Sequence, residues 1–288
     1  MAKNYLTIIL EDKIYTQRKP NSKYIEIDLK GNEINKHNEV PSEIDDIVAL
    51  YKRIEENPRD YIDYEILDLN NTVKINRIYD SPDINVHFKI PSHIEGYPVS
   101  VISSNVLDED LRLKLEQIDI PDSVEVFFPS AFANAIKLKN FFVPENTKHL
   151  SEKCFYNCDH LNTIFLNNVK ELKNAVFDGC ESLTRLNLSK VRLIGRFCFA
   201  NCTSLKEVNL SENLLNIPIG AFYNCRLLTS IHLPDSVKSV FDNAFAYCDN
   251  LTNISIGAKT EYDGDAFTYK QLLNLKTRKE EIVEETQR

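Results

Sequence analysis

The sequence predicts an α/β repeat solenoid, and two features of its C-terminal half carry that prediction. A short unit of the form small-Phe-x-x-Cys recurs with its phenylalanine every 22 or 23 residues. A segment of the form Leu-x-x-Ile-x-Leu follows each unit and is typical of a strand that buries alternate residues. A repeat this regular predicts stacked coils with parallel strands on one face and short helical turns. The repeated phenylalanines are Phe132, Phe155, Phe177, Phe199, Phe222, Phe245 and Phe267.

The seven cysteines follow the same repeat register. Cys154 and Cys198 share a column that other repeats fill with alanine or valine. The other five share a column in which an earlier repeat carries Ala135. Exchange with small apolar residues predicts reduced, buried thiols, because free cysteine packs as a small hydrophobe. The five are Cys158, Cys180, Cys202, Cys225 and Cys248.

A disulfide or a thiolate metal site is the alternative interpretation of so many cysteines. The count is odd, and the sequence has no Cys-x-x-Cys pair of the kind that zinc sites use. We therefore expect no metal site and no cofactor.

The repeats divide the chain into three predicted parts. Residues 1–63 lie outside them, residues 64–269 form the solenoid, and residues 270–288 form a helical tail. Two apolar segments that flank Asn70-Asn71 predict a hairpin at the entry to the solenoid. Residues 90–102 are expected to form an irregular first coil that covers the open end of the core.

The first 63 residues are predicted to form a small α+β unit. Apolar residues at 6–10 and 24–29 predict strands, and residues 30–32 have the chemistry of a turn. Apolar residues at helical spacing after Ser42 predict a helix that ends at Asn57-Pro58, since proline disfavours helix in the residue before it. We expect this unit to cap the first coil, and a separate binding function is the alternative.

Two local features refine the predicted coils. An insertion at 108–112 begins with acidic residues, which suit the N-terminus of a helix. The residue before the column of five cysteines is asparagine or glycine in most repeats, which predicts a left-handed backbone there. Tyr247 departs from that pattern.

Three stretches together resemble the BspA-like class of leucine-rich repeats: residues 90–102, the Ala-Phe-x-x-Cys units, and residues 231–240. The resemblance extends over about 64–267 and matches a whole repeat in register several times. It implies a right-handed leucine-rich-repeat solenoid with parallel strands on one face, preceded here by the α+β unit. It also implies a role in binding, because family members are mostly known as surface or secreted proteins that bind host molecules or neighbouring cells.

Composition and motifs argue against several classes of function. The net charge of −9 disfavours nucleic acid and anionic membranes as partners, since both attract clustered Lys and Arg. No apolar run approaches the roughly 20 residues that span a bilayer. Nucleotide-binding and zinc-protease motifs are missing, and the histidines show no ligand-like spacing, so we expect no enzyme. The histidines are His37, His87, His93, His149, His160 and His232.

The compartment stays open at this stage. The start of the chain has no clear signal peptide, and reduced cysteines favour the cytoplasm. The family resemblance favours the surface or secretion instead.

The outward residues of the repeated strands form the candidate binding site. One outward column contains Phe142 and Phe165 in consecutive coils, where their rings are expected to stack. A second column brings Arg185 next to Glu207, at a distance that permits an ion pair. The remaining candidate binding residues are Asn187, Asn209 and His232.

Two functions from different classes fit this pattern. The first is a non-enzymatic protein-protein interaction module that binds a protein partner on its strands. The second is a structural or assembly protein, in which residues 1–63 pair chains and the solenoid is a spacer. An inserted loop or the N-terminal unit that covered Phe142 and Phe165 would make these rings part of the core. Neither the identity of the partner nor the oligomeric state follows from the sequence.

Overall fold

A computed structural model of the protein describes residues 6–10, 13–17, 25–27, 33–36, 42–84 and 86–277. The chain divides into two units, Met1–Glu56 and Asn57–Arg288. This division precedes the predicted boundary at 63/64, because the chain from Asn57 leads directly into a hairpin that pairs with a strand of the solenoid, and the predicted domain bounds stay a prediction.

The first unit has a four-stranded antiparallel sheet followed by a helix. Its elements are β1 (Leu6–Leu10), β2 (Lys13–Gln17), β3 (Ile25–Ile27), β4 (Glu33–Lys36) and α1 (Ser42–Glu56). Neighbouring strands along the chain pair with each other in the order β1-β2-β3-β4. The helix and the first and third strands coincide with predicted segments, and the α+β unit as a whole stays a prediction. The two other strands were missed, because polar and charged residues make up most of each. The predicted turn at 30–32 lies outside the described residues.

The second unit opens with the predicted hairpin. A 3-10 turn at Pro58–Asp60 leads into β5 (Ile62–Leu67), which pairs antiparallel with β6 (Thr72–Ile78). The chain then forms β7 (His87–Lys89), β8 (His93–Ile94) and β9 (Tyr97–Ile102). Strand β6 pairs in parallel with β9, so the hairpin extends a sheet of the solenoid at its N-terminal end.

The insertion predicted at 108–112 contains a short helix, α2 (Glu109–Lys114). Asp108 caps it, since its side chain accepts a hydrogen bond from the amide of Leu111 at 3.0 Å. This confirms that the acidic residues mark a helix N-terminus.

Each later coil adds one strand to each of two parallel sheets. The first strand of a coil joins what we call the strand face, which begins at β7, and the second joins what we call the second sheet, which contains β9. In chain order the strands are β10 (Gln117–Asp119), β11 (Val126–Phe127), β12 (Asn140–Phe142), β13 (His149–Leu150), β14 (Thr163–Phe165), β15 (Glu171–Leu172), β16 (Arg185–Asn187), β17 (Leu193–Ile194), β18 (Glu207–Asn209), β19 (Asn216–Ile217), β20 (Ser230–His232), β21 (Ser239–Val240), β22 (Asn253–Ile256) and β23 (Glu261–Tyr262). The predicted solenoid with parallel strands is confirmed, whereas its right-handed sense stays a prediction.

The third side of each coil is a hydrogen-bonded turn and not the short helical turn that was expected. The residue before the cysteine column has a positive φ in every repeat from Asn134 to Tyr247, including Tyr247 itself at 58°. A second left-handed residue precedes it by four positions, as Ser130 precedes Asn134 and Phe197 precedes Asn201. Two left-handed residues so close together interrupt the right-handed backbone that an α-helix needs.

The repeated phenylalanines form one continuous stack in the core. All seven rings are buried. Neighbouring rings lie 5.2–5.6 Å apart and within 14° of parallel. Each ring therefore contacts the same ring of the coils before and after it, which links every coil to the next.

The five thiols of the cysteine column form a parallel series beside this stack. Each Sγ donates a hydrogen bond to the carbonyl oxygen of the phenylalanine in the preceding coil, from Cys158 with Phe132 to Cys248 with Phe222, at 3.0–3.3 Å. Gln271 takes the next position of the column, and its Nε2 donates to the carbonyl oxygens of Phe245 at 3.2 Å and Cys248 at 3.0 Å. A buried amide thus ends the series with its donors satisfied.

All seven cysteines are buried free thiols. Burial raises the pKa of Cys154, Cys180 and Cys202 well above the ordinary value of a thiol. The thiolate, which reacts and binds metals, is therefore disfavoured.

Among the described residues, the C-terminal part has one helical turn followed by a strand, and the helical tail predicted for residues 270–288 stays a prediction beyond them. Helix α3 (Tyr269–Leu272) is capped by Thr268, and β24 (Leu275–Thr277) then pairs in parallel with β22. Leu275 thus continues the strand face, because it lies opposite Ile254 in the register. Residues 278–288 lie outside the described residues.

Replacing one ring of the stack should destabilise the solenoid. We expect Phe199→Ala to lower the free energy of unfolding by about 3–5 kcal/mol, because the ring is fully buried and leaves a cavity. Chemical denaturation followed by circular dichroism measures the loss. Phe241→Ala is the matched control, since Phe241 is 38% exposed. Equal losses in both variants would contradict the core position of Phe199.

Candidate binding surface on the strand face

The outward residues of the strand face form two columns, and the strand register aligns them across coils. Phe142 lies opposite Phe165 in one column, and Arg185 lies opposite Glu207 in the other. Adjacent strands of a sheet are about 4.8 Å apart, so side chains of one column are close neighbours. The register therefore places the predicted site residues on one surface.

Phe142 and Phe165 stack directly on each other, as the sequence predicts. Their ring centroids are 4.4 Å apart and the rings are within 5° of parallel. Phe142 is 39% exposed and Phe165 is half-buried, whereas their neighbours Phe141 and Ile164 point into the core. The pair thus presents an aromatic surface outside the hydrophobic core. Its binding role stays a prediction.

Polar side chains continue this surface towards the C-terminus. Nε of Arg185 lies 3.2 Å from Oε2 of Glu207, and both side chains are more than half exposed. Nδ2 of Asn209 donates to Oδ1 of Asn187 at 3.3 Å. His232 is exposed and lies opposite Ser255 in the register. The ion pair contributes at most about 1 kcal/mol to stability, because it is solvated.

A cavity of about 250 Å³ opens beside Phe165. It lies just after strands β14 and β16, where each chain segment leaves the strand face. Its lining consists of Ile164, Phe165, Leu166, Asn167, Val169, Asn187, Ser189, Lys190 and Val191. The cavity therefore joins the aromatic pair to the polar residue Asn187 of the same column.

The sequence analysis missed this cavity, although its cause is visible in the repeat lengths. Three positions separate Leu166 from Val169, and the same holds for the next coil, whereas four separate Leu233 from Val237. These two consecutive shortened connections coincide with the two 22-residue spacings that follow Phe155. The lining of the cavity contains residues of both shortened connections.

The N-terminal end of the strand face contains two titratable groups with displaced pKa values. Burial lowers the pKa of His87 to about 4, opposed by the nearby Glu116 and assisted by Lys139. Nδ1 of His87 has no hydrogen-bond partner in the described structure. Burial raises the pKa of Asp119 to about 6, although the Gln117 amide, 2.9 Å away, favours its charged form.

Exposed apolar residues also occur on the side of the second sheet. Leu193 in β17 is 45% exposed, and Leu215, the residue directly before β19 in the next coil, is 51% exposed. Sequence reasoning missed them, because it followed only the outward positions of the strand face. They provide a comparison surface of similar exposure for experiments.

The described part of the chain has neither a cluster of metal ligands nor a membrane-spanning helix. No group of three or more His, Cys, Asp or Glu side chains there is placed to hold a metal ion. No helix there has the length and apolar character needed to cross a membrane.

Comparison with known proteins places the repeats in a family. The model of the BspA type leucine rich repeat region matches residues 100–192 and 170–285, with six copies of the repeat. The chain belongs to this family. No curated protein matches the sequence. The matched family is one of leucine-rich repeat proteins, and the match brings no indication of catalysis.

Solved structures of leucine-rich repeat proteins share the fold. A leucine-rich repeat protein from Bacteroides ovatus is 26% identical with a TM-score of 0.62, over 72% of this chain and 59% of that one. The chain thus spans somewhat more than half of the length of that relative. The T. pallidum leucine rich repeat protein is 21% identical with a TM-score of 0.54, over 78% of this chain and 93% of that one.

The dependence of stability on pH reports on His87. The folded pKa of about 4 lies below the ordinary value of 6.5, so the unfolded chain takes up the proton first. The folded state therefore loses stability as the pH falls from about 6.5 to about 4, by up to ~3 kcal/mol. Chemical denaturation at neutral and acidic pH should show this loss in the wild type relative to His87→Gln, which does not titrate there.

Asp119 acts in the opposite direction, which makes the variant comparison necessary. Its raised pKa of about 6 means that the folded chain takes up a proton first, so the folded state gains stability as the pH falls from about 6 towards 3.8. Asp119 is present in both proteins, so its contribution cancels when the free energies of unfolding of wild type and variant are subtracted. If the free energies of unfolding of the wild type and the variant differ by the same amount at both pH values, the buried, neutral state of His87 is contradicted.

Proposed function

We propose that this protein is a non-enzymatic protein-protein interaction module that binds its partner on the strand face. The observation that carries the proposal is the stacked pair of Phe142 and Phe165, exposed on an otherwise polar surface. Exposed aromatic side chains are frequent energetic centres of interfaces.

The surroundings of the pair support the same proposal. Asn187 and Asn209 form an amide-to-amide hydrogen bond beside the rings, and the ion pair of Arg185 and Glu207 lies in the adjacent column. Interfaces commonly combine an apolar centre with a polar rim that contributes directional hydrogen bonds. His232 extends the polar rim. The family resemblance extends the proposal to a surface or host-interaction role.

The runner-up is a structural or assembly protein in which the N-terminal unit mediates self-association. Its four-stranded sheet favours this possibility, because a strand at the edge of a sheet can pair with another chain. Sedimentation of the full chain and of a variant without residues 1–56 separates the two. Dimers that vanish with the deletion, in a chain that captures no partner, would favour assembly.

Removing both outward rings should abolish partner binding with little effect on stability. We expect Phe142→Ser/Phe165→Ser to lower the affinity for a partner captured by the full chain by at least about 30-fold, because aromatic hot spots contribute ~2 kcal/mol or more. The melting temperature should stay nearly unchanged. Surface plasmon resonance and thermal denaturation measure the two effects.

The matched control is Leu193→Ser/Leu215→Ser, which removes two exposed apolar side chains from the side of the second sheet. This control should retain the affinity of the wild type. A large drop in the melting temperature of the phenylalanine variant would assign the rings to the core. Loss of binding in the control alone would move the interface to the second sheet.

A further inference from the structure

The cavity beside Phe165 has more hydrogen-bond donors than acceptors available to a ligand. Oδ1 of Asn187 already accepts from the amide of Ser189 at 3.2 Å and from Nδ2 of Asn209 at 3.3 Å. The NH2 group of Asn187 and the hydroxyl of Ser189 have no partner in the described part of the chain. Nζ of Lys190 donates to Oδ1 of Asn168 at 3.1 Å and has further donors left. The side-chain acceptors that remain in the lining are the hydroxyl oxygen of Ser189 and Oδ1 of Asn167, whose Nδ2 donates to the carbonyl of Val143.

The lining of the cavity carries a positive charge, in a chain of net charge −9. Lys190 is the charged residue of the lining, and no acidic side chain is part of it. The cations Lys170 and Arg192 directly follow the lining residues Val169 and Val191, and the amide of Arg192 donates to the carbonyl of Lys170. Glu171, the nearest acid along the chain, is paired with Lys173 at 2.7 Å.

The volume restricts what the cavity can hold. At about 250 Å³ it is smaller than the roughly 300–1,000 Å³ of pockets for drug-sized ligands, and it suits one side chain of a partner. Its apolar wall consists of Phe165 together with aliphatic residues, whereas Asn187, Ser189 and Lys190 supply the polar wall. A side chain with a short apolar stem and an anionic end matches both walls.

We propose that this cavity is a carboxylate subsite of the strand face. It binds an acidic side chain that lies next to an apolar residue stacked on Phe142 and Phe165. Lys190 supplies the charge, and Asn187 and Ser189 donate hydrogen bonds to the carboxylate oxygens. This inference rests on the proposed function, because it specifies the chemistry of the partner that the strand face binds.

A pair of small peptides tests the subsite in the full chain. N-acetyl-Phe-Glu-amide supplies both groups, and N-acetyl-Phe-Gln-amide has the same shape without the charge. Titration followed by two-dimensional NMR should show saturable shifts in the amides of residues 187–191. We expect the glutamate peptide to bind at least about fivefold more tightly, since a partly exposed charge pair is worth ~1 kcal/mol.

Variants of the cavity cation complete the test. Lys190→Gln should remove the preference for glutamate, and Lys190→Arg should retain it. Lys206→Gln is the control, because Lys206 is an exposed lysine outside the cavity lining. Equal affinity for the two peptides, a preference that survives Lys190→Gln, or no binding at about 20 mM peptide would each overturn the subsite.

The outcomes also separate this inference from the proposed function. If Phe142→Ser/Phe165→Ser abolishes partner binding while the peptides are not distinguished, the strand face is the interface and the carboxylate subsite is wrong. If the peptides are distinguished but the phenylalanine variant keeps its partner, the cavity binds carboxylates and the strand face is not the interface.

Discussion

The stack of buried phenylalanine rings is the constraint on which the rest of the solenoid depends. Each ring contacts its counterparts in the adjacent coils at 5.2–5.6 Å, so every coil must return its phenylalanine to the same position. The five thiols of the cysteine column strengthen this requirement, because each donates a hydrogen bond to the carbonyl oxygen of the phenylalanine in the preceding coil. A coil that shifted by one residue would lose the ring contact and the hydrogen bond together. At the end of the series, the side-chain amide of Gln271 donates to the carbonyl oxygens of Phe245 and Cys248.

The surface follows from this internal register. A fixed phenylalanine position fixes the strand that follows it, and alternate strand residues then form columns on the outside. Phe142 and Phe165 stack because two consecutive coils place phenylalanine at the same outward position. In the two shortened coils, the missing residue lies in the connection that leaves the strand face. The cavity beside Phe165 lies where two consecutive coils are shorter, so an irregularity of the repeat creates the candidate subsite.

Most of the solenoid could be predicted from the sequence, because its periodicity reports directly on the core. The column of Cys202 was correctly predicted to be buried, since alanine replaces cysteine within it. The hydrogen bond from this thiol to Phe177 could not be predicted, because it depends on the distance between coils. The helical turns were wrong, since left-handed residues such as Phe197 carry no glycine or asparagine signal. Strand β24 was missed because charged residues surround the short apolar segment that contains Leu275.

Some features of the candidate site could likewise be predicted from the sequence, and others could not. Its outward columns and the ring stack follow from the strand period, and the sequence placed them correctly. The donors at Asn187, Ser189 and Lys190 depend on which lone pairs neighbouring groups already use, which only the three-dimensional structure defines. The displaced pKa of His87 likewise depends on how deeply the strand before the first insertion is covered.

Site-specific thiol labelling tests the central claim most directly, that the strand face is the interaction surface. All seven native thiols are buried, so one introduced cysteine becomes the reactive thiol of the folded chain. Asn209→Cys places it on the strand face, and Leu215→Cys places it directly before β19, on the side of the second sheet. Saturating partner should slow maleimide labelling at position 209 and leave the rate at position 215 unchanged. Protection at 215 with free labelling at 209 would contradict the claim.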